Sequence, residues 1–258
     1  MKFQGWTSSL ALALFLPAMQ AHAQAHSTAT VVQDGPAINE AAVDQRNNVK
    51  ASVSLTQTAN AHAGSVSGGQ PGILQVDSGR LTTIVNQQGD VSVLIAQRDT
   101  DLGWVTVTQT GAGHIATISQ ARNIDVTADI RQWNTGNRST QIQTGLANGT
   151  ADSWQSGNAN TSMIEQSGSK VTIGFVIQEG NLGDASIVQH NVASTNAAIR
   201  QPGTHNIASI EQADGVNLNA TVKQAGTNQF VSVEQSGANK TADISQAGAL
   251  QRAAILQH

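Results

Sequence analysis

The stretch "QPGTHNIASIEQ", Gln201 to Gln212, decides the fold. Its second half alternates, with Ala208, Ile210 and Gln212 on one side and Ser209 and Glu211 on the other. Alternation with period 2 predicts a strand with one buried face. Gly203, two residues after the first glutamine, is turn chemistry, because glycine tolerates left-handed backbone. The stretch therefore reads as a turn and a strand held between two glutamines.

Outward from this unit the pattern repeats in both directions. Glutamines stand at Gln75, Gln87, Gln97, Gln109, Gln120, Gln132, Gln143, Gln155, Gln166, Gln178, Gln189, Gln201, Gln212, Gln224, Gln235, Gln246 and Gln257. The steps are 11 or 12 residues, with one of 10 between Gln87 and Gln97. Earlier members are Gln33, Gln45 and Gln57, followed by a gap of 18 that holds a Gly/Ser/Pro cluster. Steps of 12 and 11 alternate through the middle of the chain, so the full repeat is 23 residues, shortening to 22 beyond Gln224.

The residues beside each glutamine keep the same phase. Two positions before it stand Ile118, Ile130, Ile164, Val176, Ile187, Ile199, Ile210, Val222, Val233, Ile244 and Ile255, and 18 of the 20 such positions are branched aliphatics. The exceptions, Gln141 and Ser153, predict a looser rung over Asn137 to Trp154. Four positions before the glutamine the residue is mostly small, often Ala. Two positions after it come Gly111, Gly157, Gly180, Gly203, Gly226, Gly237 and Gly248, and at several other repeats Asn or Asp. All three types suit tight turns. The unit is thus strand-turn-strand-turn in 22–23 residues, too short to bury its own apolar face, and stable only when like units stack.

Stacked as a parallel β-solenoid, an all-β cross-β fold, successive coils lie ~4.8 Å apart and each glutamine lies over its counterpart in the next coil. A carboxamide both donates and accepts, so a column of them satisfies itself, whereas a column of like charges would not. Twenty half-repeats predict about ten coils, or roughly 48 Å of stack. The C-terminal Ile255-Leu256-Gln257-His258 ends on a full repeat without an evident cap, which favours end-to-end joining.

Composition fits such a stack better than an ordinary domain. Of 258 residues, 12% are charged and 3% aromatic, with no Cys or Tyr. The formal charge of -4 argues against a nucleic-acid partner. Lys2, the apolar run Leu10 to Leu16 and Ala21-His22-Ala23 read as a secretory leader over 1–23. That run is too short to span a bilayer, and no later segment approaches ~20 apolar residues. The organisation read from the sequence is a leader (1–23), a loosely repeating segment (24–57), a Gly/Ser/Pro-rich break (58–72) and a repeat solenoid (73–258).

Gln201-x-Gly203-x-x-Asn206-x-Ala208-x-x-x-Gln212 resembles the curlin repeat of the curli subunits, the extracellular functional amyloid of bacterial biofilms. The spans starting at Gln109, Gln155, Gln178, Gln224 and Gln246 fit the same frame. His114, Gly183, Gln229, Lys240 and Gln251 stand where that frame expects Asn. The resemblance implies a β-solenoid that leaves the cell through an outer-membrane secretion pore. It also implies polymerisation with copies of itself and with a second curli subunit into adhesive fibres. Either the main fibre subunit or the minor, nucleating one fits.

Chemistry of other kinds is absent from the pattern. Asp99 with Asp101 and Asp125 with Asp129 are acid pairs that suit turns or outward faces, where charges also slow premature pairing. The histidines beyond the leader have no metal-ligand spacing, and no phosphate-loop or calcium-solenoid motif occurs. Trp104, Trp133 and Trp154 are scattered in sequence and read as outward or packing residues rather than a stacking platform. No cofactor is expected. Two classes of function remain: a polymerising structural protein, and a monomeric solenoid acting as a surface adhesin or carbohydrate-active enzyme.

Overall fold

A computed structural model describes residues 26–34, 40–58, 61–63 and 72–258. The leader read at 1–23 and most of the break read at 58–72 lie outside the described residues. Within them, 18 strands form one parallel sheet that winds as a β-solenoid of about 9 turns. Each coil has two facing arms. One arm ends on Gln109, Gln132, Gln155, Gln178, Gln201, Gln224 or Gln246, and the other on Gln120, Gln143, Gln166, Gln189, Gln212, Gln235 or Gln257. The 20 glutamines therefore divide into two columns of ten, with nine steps in each.

Register follows the sequence period. Ala185 pairs with Ala208, Ile187 with Ile210 and Gln189 with Gln212, all 23 residues apart. Where the period shortens to 22, a register shift between Ala213 and Gly215 absorbs the missing residue. The stack is continuous past the 58–72 segment, since strand Lys50–Thr58 pairs directly with Arg80–Arg98 and Gln45 with Gln75.

Alternation decides which side chains face inward. Ala and branched aliphatics line the interior and form two clusters, one from Val53 to Ile130 and one from Ala151 to Ile244. Between them lies the rung that the sequence marks as loose. Here the expectation needs correcting: strand Arg138–Thr144 keeps seven in-register pairs with each neighbouring coil. Polar groups hold it. Ser162 Oγ bonds Ser139 Oγ at 2.9 Å, Ser153 Oγ and Ser162 Oγ lie 2.7 Å apart, and Gln141 Nε2 donates to the Asp129 carbonyl at 2.8 Å.

Among the described residues, the second residue after most of these glutamines turns the chain. Asn134 (φ 75), Asn191 (φ 51) and Asp214 (φ 47) are left-handed, as are Gly111 (φ 135), Gly157 (φ 122), Gly203 (φ 144), Gly226 (φ 135), Gly237 (φ 91) and Gly248 (φ 108). Gly180 differs, because it is needed for space: a Cβ there would overlap the Gly203 carbonyl oxygen of the next coil.

Candidate functional site

The two glutamine columns run through the whole described stack. In the first, Nε2 donates to the next Oε1 from Gln109 to Gln132 (2.8 Å), Gln132 to Gln155 (2.7 Å), Gln155 to Gln178 (2.8 Å), Gln178 to Gln201 (2.9 Å), Gln201 to Gln224 (2.9 Å) and Gln224 to Gln246 (3.3 Å). In the second it donates from Gln120 to Gln143 (2.8 Å), Gln143 to Gln166 (3.0 Å), Gln166 to Gln189 (2.8 Å), Gln189 to Gln212 (2.8 Å), Gln212 to Gln235 (2.9 Å) and Gln235 to Gln257 (2.8 Å). Gln33, Gln57 and Gln87 continue the first column, and Gln45, Gln75 and Gln97 the second. From Gln109 to Gln235 every member is at most 2% exposed. Burial of an amide is costly unless it is paired, and these are paired along the stack.

A second set of bonds has no signal in the glutamine spacing. The other Nε2 hydrogen crosses the interior to a backbone carbonyl of the facing arm. Gln155 bonds Arg138 O (3.0 Å), Gln178 bonds Thr161 O (3.0 Å) and Gln201 bonds Asp184 O (3.0 Å). Gln166 bonds Thr150 O (3.0 Å) in the other column. Each of these carboxamides therefore joins coil to coil and arm to arm at once. The residue 17 or 16 positions earlier supplies the carbonyl, so the offset is regular, but a backbone partner leaves no mark in composition.

Asparagines cap the turns by the same logic. Asn137 Nδ2 donates to the carbonyls of Trp133 (2.7 Å) and Gly157 (2.9 Å), while its Oδ1 accepts the Asn160 N–H (3.0 Å). Asn160 repeats this with Gly180 O and the Gly183 N–H. His114 stands one coil earlier in this column and imitates the amide: Nδ1 accepts the Asn137 N–H (3.2 Å) and Nε2 faces Thr110 O (3.2 Å). Those partners require the neutral ring with its proton on Nε2. Burial pushes the His114 pKa below its ordinary value, opposed by the Thr110 and Asn134 carbonyls.

The aliphatic column from Ile118 to Ile244 lies buried beside the glutamines, with Ile255 half-buried in the last coil. Among the described residues no group of three His, Cys, Asp or Glu is placed to hold a metal ion, and no helix is long and apolar enough to cross a membrane. What the arrangement offers is a directional polymer contact. Every column bond runs from Nε2 of one coil to Oε1 of the coil that follows in sequence, so the two ends of the stack are unlike. Amide bonds aligned in this way also polarise one another.

Comparison with curated proteins gives no match. Residues 215–248, which carry Gln224, Gln235 and Gln246, match the family model of the curlin associated repeat. That match covers 34 of the 258 residues, and over them the chain is similar to the curlin associated repeat.

Proposed function

We propose that the chain is a structural subunit, secreted and polymerised into extracellular curli-like amyloid fibres that serve adhesion and a biofilm matrix. The reading rests on the uniform direction of the two amide columns. A coil of another copy placed on Gln246 and Gln257 meets the same donors that each internal coil offers the next. Its backbone pairs as an added parallel strand, and its aliphatics cover Ile244 and Ile255. A second curli subunit starts or extends the same stack by the same contact, and an outer-membrane secretion pore delivers the chain. The function requires neither a catalytic group nor a cofactor.

The test is to incubate the purified chain and follow thioflavin fluorescence together with fibre diffraction. Polymerisation gives a sigmoidal rise and reflections at ~4.7 Å and ~10 Å. A lasting monomer without thioflavin response overturns the reading.

A further inference from the structure

Beyond the leader the sequence has five aromatic residues: Trp104, Trp133, Trp154, Phe175 and Phe230. The winding brings four of them to one place. Trp104 lies in strand Leu102–Ala121, Trp133 in Ile124–Thr135, Trp154 in Ala147–Asn158 and Phe175 in Lys170–Gln178, which are the same arm of four consecutive coils. All four occupy outward positions of the strand alternation. Trp104 is 50% exposed and Trp154 40%. Scattered in sequence, they are gathered in space, because residues about 23 apart become neighbours. Trp133, Trp154 and Phe175 form a diagonal, each one coil on and two residues back, so their positions step by roughly 8 Å. The Trp133 and Trp154 rings meet at 5.5 Å with planes tilted by 57°.

Carboxylates interrupt the aromatic face. Asp129 and Asp152 are directly paired across adjacent coils, with Thr106 before them and Phe175 after. Arg131 binds Asp129 through one oxygen, and the other oxygen, Oδ1, is buried without a hydrogen-bond partner. Burial and the neighbouring Asp129 charge, opposed by Arg131, push Asp152 up to about 6. Nearby, Arg200 of the next coil is bound to Glu179, and Trp104 Nε1 donates to Thr106 Oγ1. The face thus combines exposed rings with carboxylates.

We propose that this arm, over the four coils carrying Trp104, Trp133, Trp154 and Phe175, is a binding face for a neutral polysaccharide. Pyranose rings present apolar C–H surfaces that stack on exposed aromatic rings, and their hydroxyls donate to carboxylates. An extended polymer suits an open sheet that spans several coils. Charge complementarity rejects the alternatives. Along this arm of the four coils, four carboxylates (Asp125, Asp129, Asp152 and Glu179) outnumber two cations (Arg131 and Lys170) and repel a polyanion. A second copy of the same face would set Asp129 and Asp152 against their own copies and bury like charges together. The binding belongs to the single molecule and does not require the fibre.

The test uses the full chain carrying Trp6→Phe, so that the three remaining tryptophans all report from this face. It is titrated with cellohexaose and with hydroxyethyl cellulose, and separately tested for retention on microcrystalline cellulose. Binding gives a saturable change in tryptophan emission and retention on the solid. Trp154→Ala weakens both about tenfold, the scale expected for loss of one stacked ring. Asp152→Asn weakens both as well, whereas Glu211→Gln on the other arm leaves them unchanged. Because these positions point outward, each variant keeps its strand circular dichroism. No emission change and no retention in the parent chain overturns the proposal, as does equal binding by Trp154→Ala. So does a loss confined to side-by-side association of fibres, which would assign the face to a second copy. The thioflavin assay is read independently, so failure of polymerisation and failure of this site are distinct results.

Discussion

Two stretches of the stack solve the same problem with different side chains. From Asp184 to Val222 the positions two and four before each glutamine are Ala185, Ile187, Ala197, Ile199, Ala208, Ile210, Ala220 and Val222, all buried and all apolar. From Arg138 to Ser162 the equivalent positions hold Ser139, Gln141, Ser153 and Ser162, equally buried, with Ala151 as the apolar survivor. Yet the glutamine bonds on either side are alike, 2.8 Å from Gln189 to Gln212 and 3.0 Å from Gln143 to Gln166. The difference teaches that register in this fold is set by the amide columns and the backbone ladder. The aliphatic column supplies stability, and matched hydroxyls replace it over one rung. The replacement is incomplete, because Gln141 Oε1 is buried without a partner.

Breaking what the two stretches share has the largest effect. Gln201→Glu with Gln224→Glu puts two carboxylates one above the other in a dry column, where each uncompensated buried charge costs about 3 kcal/mol or more. Assembly followed by thioflavin is then strongly slowed; kinetics equal to the parent chain would remove the amide columns from the account. Next comes exchanging the two solutions. Ile210→Ser places a polar plug among aliphatics without the serines that accompany it near Ser153. The cavity and the unmatched hydroxyl together cost about 4 kcal/mol. Urea unfolding of freshly prepared monomer measures it, and a loss below about 1 kcal/mol would mean that the two interiors are interchangeable. The reverse change, Gln141→Ile, continues the aliphatic column between Ile118 and Ile164 and removes the orphaned oxygen, for a gain of about 1–2 kcal/mol. A loss there would show that the bond to the Asp129 carbonyl outweighs the orphan.

The sequence makes the solenoid, its 23-residue period and the side-chain columns legible because every coil repeats the same inward alternation, as Ala208, Ile210 and Gln212 do over Ala185, Ile187 and Gln189. It is silent on two things. The bonds from Gln155 to Arg138 O and from Gln201 to Asp184 O end on backbone, and any residue type supplies a carbonyl. The gathering of Trp104, Trp133 and Trp154 depends on which side of the strand each faces and on which arm it lies. One residue of slip would send a side chain inward. Gln141 and Ser153 were misleading for a related reason: taken one at a time they break an apolar column, and only their neighbours Ser139 and Ser162 show that they are matched.

The smallest effects are local and follow pH, and they take opposite signs in the two coil surfaces involved. His114 is held neutral by burial, so its contribution is complete above its ordinary value of 6.5 and falls away as the pH drops below it. Protonation at Nδ1 removes the acceptor of the Asn137 N–H, so amide exchange at Asn137, corrected for the intrinsic rate, accelerates below pH 6.5. His114→Asn restores the acceptor used by Asn137 and Asn160 in the same column and abolishes that acceleration. Asp152 behaves in reverse. Its pKa is raised from 3.8 to about 6, so the folded state takes up a proton first, and stability rises as the pH falls from about 6 to 3.8. Part of that effect is screened, because the carboxylate is not fully buried. In Asp152→Asn, the pH dependence of exchange in strand Ala147–Asn158 over that window shrinks to what Asp129, also raised by burial, contributes, while the Asn137 response persists. A single variant that flattened both responses would mean that the two sites titrate as one unit, contrary to their separation on the turn and on the outward face.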